Sequence, residues 1–461
     1  MTVSALDADL LGSAALRSQL PGLPAALDAD AMGARLQALL AAPTHTVEEC
    51  VPGKIWYRGG QGCDLRYALR LWDRSTGELV ATTVLGRVLP DASRAAAYHR
   101  TRVDPLAPGL QHRLGPLRVP AASAADLGLV VYAFPLDPEL PTLAAATDPE
   151  GVRQELRYRL GWTLTDCTVQ VVRHARDGRC VLRYALGEPH AVYGKVYADP
   201  AGRRRQELLA ALRGALPGAG RAGVRVPRPL GYLPRIRLSL CGVVPGRTAA
   251  LADPRERESA VVAAARAAAV LHGAAVLPPA SRSLAADVAA LRRQLVAIRP
   301  VWPDVVAQLT AVLAGVEAQA AGVPALPPTF CHGDFTPAQV LLDPPGTGVV
   351  DFDAAVTAEP ALDLGSFLAY LRFALAKRPS RAPTPPRDHG IFASSPQVFL
   401  SAYAEAAGHR RPNGGAFAAR VALYERLALA RLAARACLQL KTRRLQTALF
   451  LLSQEGSHAP N

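Results

Sequence analysis

Cys331-His332-Gly333-Asp334-Phe335-Thr336-Pro337-Ala338-Gln339-Val340-Leu341-Leu342, followed by Val349-Val350-Asp351-Phe352-Asp353, is the stretch of this 461-residue chain that decides how the rest is read. It lies in a short β-like patch, Thr329–Asp353, between segments of helical pattern. The residue types suit phosphoryl transfer. That reaction needs little covalent help, only an aligned acceptor hydroxyl and cations on the phosphate oxygens. A carboxylate beside the hydroxyl can take its proton. An amide oxygen and a second carboxylate can hold magnesium, which prefers hard oxygen ligands. Asp334, Gln339 and Asp351 are suitable types in a suitable order, with Asp351 twelve residues after Gln339. An H-x-D-x-x-x-x-[NQ] string alone is a weak signal. Followed at this distance by an apolar strand ending in Asp-x-Asp, it is a strong one.

Upstream, the chain repeats itself. A shift of 117 positions lays Cys50 on Cys167, Cys63 on Cys180, and Leu65-Arg66-Tyr67-Ala68-Leu69 on Leu182-Arg183-Tyr184-Ala185-Leu186. A shift of 108 then aligns Val84-Leu85-Gly86-Arg87-Val88 with Val192-Tyr193-Gly194-Lys195-Val196. Each unit reads as strand, Gly-containing turn and strand, preceded by a helical pattern at Ala31–Leu40 and Gly151–Leu160. If the second turn centres on Asp177-Gly178, Cys180 faces residue 175 rather than Cys167, so the paired cysteines read as buried thiols. After Pro254 the pattern is helical: Ala260–Leu271, Leu284–Ile298, Val305–Ala321, Ala361–Leu375, Pro396–Ala407 and one long segment, Ala416–Leu452. Pro379–Pro386 reads as a surface loop.

A formal charge of +14 rests on 48 Arg against 4 Lys. The basic residues are spread along the chain and are not interleaved with aromatics, which argues against nucleic acid as a partner. The basic run Arg426, Arg431, Arg435, Lys441, Arg443 and Arg444 is expected to form a solvated helix face. Met1–Leu20 has no basic region before an apolar run, and the Ala-rich Ala260–Leu277 is broken by Arg266 and His272, so neither a signal peptide nor a membrane span is expected. Seven Cys without a CxxC pair fit a reduced, cytoplasmic protein.

HGDFTPAQVL, VVDFDAA and EPALDLGSFL together resemble the signature of the aminoglycoside phosphotransferase and choline kinase-like superfamily, and the resemblance spans roughly Trp162 to Leu452. The Gln at 339, where most members have Asn, is similar to the maltokinase and bacterial glucosamine kinase branch. The resemblance implies an α+β, bilobal protein-kinase-like fold that uses ATP and Mg2+. Asp334 would be the catalytic base, Gln339 and Asp351 the metal ligands, and Asp353 an auxiliary acid near the metal. His332 and Asp363 would fix the loop and the following helix, and His272 would be a packing residue. Lys195, on the apolar strand Ala191–Tyr197, would hold the α- and β-phosphates, with Glu207 or the nearby Glu188 as its acidic partner. The hairpin Arg176–Arg179 would cover the phosphates. The strand Leu238–Val243 resembles the hinge, so backbone groups at Leu240 and Val243 would read adenine.

The first repeat lacks this chemistry: Arg87 stands in the Lys195 position and His99 twelve residues beyond it. It reads as a non-catalytic, N-lobe-like cap. The expected division is residues 1–146 as cap, 147–246 as nucleotide-binding lobe and 247–461 as helical catalytic lobe. Three functions stay open at this level: a kinase for a sugar or amino sugar hydroxyl, an aminoglycoside kinase, and a nucleotide-binding pseudokinase scaffold. A polycationic aminoglycoside needs clustered carboxylates, and the helical region has scattered ones at Asp287, Asp304, Glu405 and Glu425.

Overall fold

The structure is a computed structural model that describes residues 13–175, 178–187, 191–216, 223–251, 253–376, 389–408 and 414–455. Residues 1–12, Arg176, Asp177, Glu188 and the Pro379–Pro386 stretch lie outside the described residues.

Helices α1 (Ala14–Gln19), α2 (Leu23–Leu27) and α3 (Ala29–Leu40) precede a sheet of β1 (His45–Pro52), β2 (Trp56–Tyr57), β3 (Cys63–Asp73), β4 (Glu78–Val88), β5 (Ala121–Ala124) and β6 (Leu129–Ala133). Its order is β1-β3-β4-β6-β5, with β2 added to β3. Helix α4 (Ala92–Tyr98) follows β4. The second unit repeats this plan. Helices α5 (Leu143–Ala146) and α6 (Pro149–Leu160) lead into β7 (Thr168–Ala175), β8 (Arg179–Ala185) and β9 (Ala191–Tyr197). Helix α7 (Gly202–Ala215), the short β10 (Val224–Arg225), β11 (Pro229–Leu233) and β12 (Leu238–Gly242) complete it, in the order β7-β8-β9-β12-β11.

The two units agree in register as well as order. Leu65 faces Gly86 and Tyr67 faces Val84, as Leu182 faces Gly194 and Tyr184 faces Val192. Both tyrosines are buried and donate their hydroxyls back to the preceding short helix, Tyr67 to the Ala26 carbonyl at 2.7 Å and Tyr184 to Ala146 at 2.8 Å. The matching helices carry a signal that the hairpin comparison passes over: Leu20-Pro21-Gly22-Leu23 against Leu140-Pro141-Thr142-Leu143, each leading to an N-cap aspartate, Asp28 and Asp148. Residues at alternate positions of β8 point into one core, so Cys180, Leu182 and Tyr184 are buried together. Cys180 lies opposite His174, not residue 175, because three residues separate Ala175 from Arg179. None of the seven cysteines forms a disulfide.

The helical lobe holds α8 (Arg257–His272), α9 (Leu284–Ile298) and α10 (Pro303–Ala321), then α11 (Ala361–Ala376) and α12 (His389–Ala407). The segment read as one long helix is two, α13 (Gly414–Leu438) and α14 (Thr442–Glu455). Leu440, fully buried and with φ 51°, turns the chain between them. The catalytic stretch forms two small sheets. In one, β13 (Arg247–Thr248) pairs with β15 (Val340–Asp343), β15 with β16 (Gly346–Val349), and β16 in parallel with β10. In the other, β14 (Thr329–Cys331) pairs with β17 (Val356–Ala358).

The first unit and the helical lobe share one contiguous apolar core, whereas the second sheet has its own. Tyr57 meets Trp302 edge-on at 6.3 Å, and a Cβ on Gly59 would come within 2.8 Å of Ala297. The first unit also grips the second sheet through the buried Asp137–His174 pair at 2.6 Å. We propose the three-part division as expected, with its first boundary drawn back to about Leu140, since Leu140, Leu143 and Ala146 pack in the second core. Among the described residues, no helix is long and apolar enough to cross a membrane.

Candidate active site

The two loops of the catalytic stretch are tied together by backbone chemistry. His332 is buried; its Nε2 lies 2.9 Å from the Val350 carbonyl, and its Nδ1 lies 3.3 Å from the Asp334 backbone nitrogen. The backbone N–H of Asp334 can only donate, so Nδ1 accepts and the Nε2 proton goes to Val350. One imidazole thus holds Asp334 against the residue preceding Asp351. Beneath it, the buried Asp363 accepts from the backbone N–H groups of His332 at 2.6 Å and Gly333 at 2.8 Å, and pairs with His272 at 3.2 Å. Gly333 is required here: its φ is +78°, and a Cβ would lie 2.0 Å from the Ala354 carbonyl oxygen. His272 also bonds Tyr403 at 2.9 Å, which accounts for it as a packing residue.

From the other lobe, β9 delivers Lys195. Its Nζ donates to Asp351 at 2.6 Å and to Asp353 at 2.8 Å. Burial opposes the Lys195 charge, but Asp353 and Asp351 outweigh it and raise its pKa. Burial likewise works to raise Asp351, and Lys195 overcomes it, leaving the carboxyl below its ordinary range. Asp353 also accepts from the Tyr197 hydroxyl at 2.8 Å and Arg179 at 3.0 Å. Sequence reasoning missed Tyr197, although the period of two along β9 puts it on the Lys195 face. Arg179, at the start of β8, left no comparable signal.

Asp334 and Gln339 are held back from this network. Asp334 opens on the cleft, yet enough protein surrounds it that desolvation raises its pKa. Asp351 adds to the rise, while His332, Arg435 and Arg179 oppose it. Among the described residues, neither the Asp334 carboxylate nor the Gln339 amide has a hydrogen-bond partner. Asp351 and Asp353 meet at Lys195, the Asp351 charge reaches Asp334, and the Gln339 backbone carbonyl accepts from the Val350 N–H at 3.0 Å, next to Asp351 in sequence. This all-oxygen donor set fits Mg2+.

Two expectations on the nucleotide side are corrected. Glu207 sits on the exposed face of α7 and does not meet Lys195; the inward residue is its neighbour Gln206, which bonds the Leu240 carbonyl at 2.9 Å. A single residue rotates a helix position by about 100°. The Leu240 backbone is taken up within the sheet, paired with Gly231 on β11 and Gly194 on β9 and with its carbonyl accepting from Gln206. Its side chain is buried, while Ser239 and Cys241 face the Lys195 side. Val243 is half exposed and lines a cavity of about 660 Å³ with Trp162, Val192 and Pro245. None of Lys195, Asp351 and Asp353 lines it; they enclose a smaller space of about 110 Å³ with Tyr193, Tyr197 and Gln206. The first copy closes the equivalent position. Arg87 is buried against Asp64 at 2.6 Å and Glu139 at 3.1 Å, and His99 bonds Ser123 at 2.7 Å.

The basic run on the last helices is a solvated face only in part: Arg435 and Arg443 are exposed, and the others are partly buried. Arg431 pairs with the buried Asp287 at 2.8 Å and Arg426 bonds Gln319 at 2.9 Å. Arg435, Lys441 and Arg444 lie on the two sides of the helix break, where the Gln439 N–H bonds the Arg435 carbonyl at 3.1 Å and the Lys441 N–H the Ala436 carbonyl at 2.9 Å. The charges of Arg435 and Arg444 act on Lys441.

Comparison with known proteins gives a match of residues 169–384 to the phosphotransferase enzyme family. No curated protein matches the sequence. Among solved structures, an aminoglycoside-3'-phosphotransferase of type VIII is 24% identical, with 59% of this chain and 98% of that one covered at a TM-score of 0.39. An aminoglycoside phosphotransferase from Streptomyces rimosus is 21% identical, with 61% and 97% covered at 0.42. A choline kinase from Cryptosporidium parvum is 11% identical, with 67% and 96% covered at 0.48.

Proposed function

From a chain that carries, over residues 169–384, a domain of the phosphotransferase enzyme family, we propose that this protein moves the γ-phosphate of ATP, with Mg2+, to a hydroxyl of a small molecule. The observation that carries the reading is the meeting of Lys195 with Asp351 and Asp353 beside the unengaged Asp334 and Gln339. Asp334 accepts the proton of the acceptor hydroxyl, and its raised pKa strengthens it as a base. Gln339 and Asp351 would hold Mg2+, with Asp353 beside them. The ion, when bound, neutralises charge on the phosphate oxygens. Lys195 and Arg179 supply cations to the nucleotide phosphates. His332 keeps the proton acceptor and the ligand loop in fixed relation.

The acceptor we infer is a sugar-type hydroxyl compound, supported by the likeness of the Gln339 motif to maltokinases and glucosamine kinases. The aminoglycoside reading has less support, because the buried acids of the helical region, Asp287 and Glu425, are already paired with arginines. Asp287 forms ion pairs with Arg282 at 2.7 Å and Arg431 at 2.8 Å, and Glu425 with Arg372 at 3.0 Å. We assign the first unit as a cap without catalysis, and the protein to the cytoplasm. The test is ATP consumption by the pure protein against sugars, amino sugars, aminoglycosides and choline. No consumption with any acceptor, together with no binding of Mg-ATP, would refute the reading.

A further inference from the structure

The turn at Leu440 brings three cations together beside the catalytic loop. Arg435 lies in the last turn of α13, Lys441 in the connection and Arg444 in the first turn of α14. The cap adds to them. Its Trp56 ring lies under the Arg435 guanidinium at 6.0 Å, and Lys54 stands two residues before it. Arg444 lies over the Phe373 ring at 5.5 Å. Two other arginines of α13 are neutralised, Arg420 by Glu359 at 2.8 Å and Arg431 by Asp287 at 2.8 Å. Among the described residues, Arg435, Lys441 and Arg444 have no carboxylate partner within ion-pair distance.

The arrangement costs free energy as it stands. Burial lowers the pKa values of Lys441 and Arg444, and so does repulsion from their neighbours, including Lys54 and Arg435 on Lys441. Lys441 and Arg444 also flank the N-terminus of α14, the helix end at which a cation is disfavoured and an anion favoured. A cluster that repels itself and faces a helix N-terminus is complementary to a bound anion. Its position says which anion. Phe335, next to Asp334 in sequence, packs on Phe367 at 5.6 Å. Phe367, Tyr370 and Phe373 follow one another at three-residue steps along α11 to the Arg444 guanidinium, 5.5 Å from the Phe373 ring. In keeping with this, the Arg435 charge acts on Asp334, and Tyr370 feels Asp334, Arg435 and Arg444. A molecule with its hydroxyl at Asp334 would cross Tyr370 and end at these cations. The nucleotide phosphates have their own cations in Lys195 and Arg179.

We propose that Lys54, Arg435, Lys441 and Arg444 form the acceptor subsite, shared between cap and helical lobe, and that the acceptor is a small hydroxylated anion bearing a carboxylate or a phosphate. This rests on the reading of Asp334 as the base. It narrows the sugar-type acceptor and disfavours an unmodified amino sugar.

The experiment compares acceptors of one skeleton: glucose, glucosamine, glucuronate and glucose 6-phosphate. The anions should exceed glucose in kcat/KM by about tenfold or more, with glucosamine lowest, and the two anions separate carboxylate from phosphate. Arg435→Gln and Arg444→Gln should each raise KM for the preferred anion by about tenfold to a hundredfold, the range for a hydrogen bond to a charged group, and leave KM for Mg-ATP unchanged. A binding arm needs no turnover: sulfate is titrated in saturating Mg-ADP while Trp56 fluorescence is followed, with Trp56→Phe as the control. Preference for glucose or glucosamine, or KM values indifferent to Arg435 and Arg444, would overturn the proposal while leaving the kinase reading intact. If no acceptor is used, the sulfate arm decides: binding lost in Arg444→Gln supports the subsite, and no binding refutes it. Sulfate binding without any Mg-ATP binding would sink the kinase reading instead.

Discussion

Asp363→Asn removes one negative oxygen from the base of the catalytic loop, and the structure sets what that costs. The carboxylate is fully buried and accepts from the backbone N–H of His332 at 2.6 Å and of Gly333 at 2.8 Å. Hydrogen bonds to charged groups contribute about 1.5–3 kcal/mol each. An amide offers one oxygen to those two donors and turns an NH2 toward the other, where no water can intervene. One bond is lost and one donor is stranded, so the expected destabilisation is about 3–5 kcal/mol, against a total of about 5–15 kcal/mol for an ordinary domain. Urea unfolding followed by circular dichroism reads it directly. The pH dependence adds a second check. Burial works to raise the Asp363 pKa, but the hydrogen bond and charge of His272 and the His332 donors outweigh it, and the net shift is downward. A depressed folded pKa gives stability that is present above the unfolded value of about 3.9 and is lost as pH falls through the lower folded value. The gap between wild type and Asp363→Asn should therefore narrow below about pH 4. A destabilisation under about 1 kcal/mol at pH 7, or a gap that stays constant through the acid range, would refute the reasoning.

Lys195→Ala should weaken Mg-nucleotide binding strongly in calorimetry, whereas Glu207→Ala, on the exposed face of α7, should leave it unchanged. Arg87→Ala should leave one nucleotide bound per chain but lower stability by about 3–5 kcal/mol, because it takes a buried cation away from the fully buried Asp64; two nucleotides per wild-type chain in a titration would contradict the closed first copy. Gln339→Ala should reduce the magnesium dependence of nucleotide binding, and Gln339→Asn, which keeps the amide oxygen, should be tolerated.

The repeat was legible because strand period and the Leu-x-Tyr pattern survive in both copies, and the catalytic stretch was legible because its spacing is local. What the sequence hid is long-range or rotational. The partners of Lys195 lie 156 and 158 positions away, a pairing that no spacing rule announces. Glu207 was misplaced by one helical position, enough to turn it from the sheet to solvent. The break at Leu440 contains neither Gly nor Pro. A buried leucine in the left-handed region is held there by packing, so periodicity alone ran the helix through it and scattered the cations that the turn gathers.

The central claim is that Asp334 takes the proton of the acceptor hydroxyl while other groups hold Mg-ATP. The most direct measurement is single-turnover phosphate transfer by Asp334→Asn, beside calorimetric binding of Mg-ATP to the same variant. The account predicts a rate lower by about 10²–10⁴-fold with nucleotide affinity nearly unchanged. Transfer at close to the wild-type rate would contradict it.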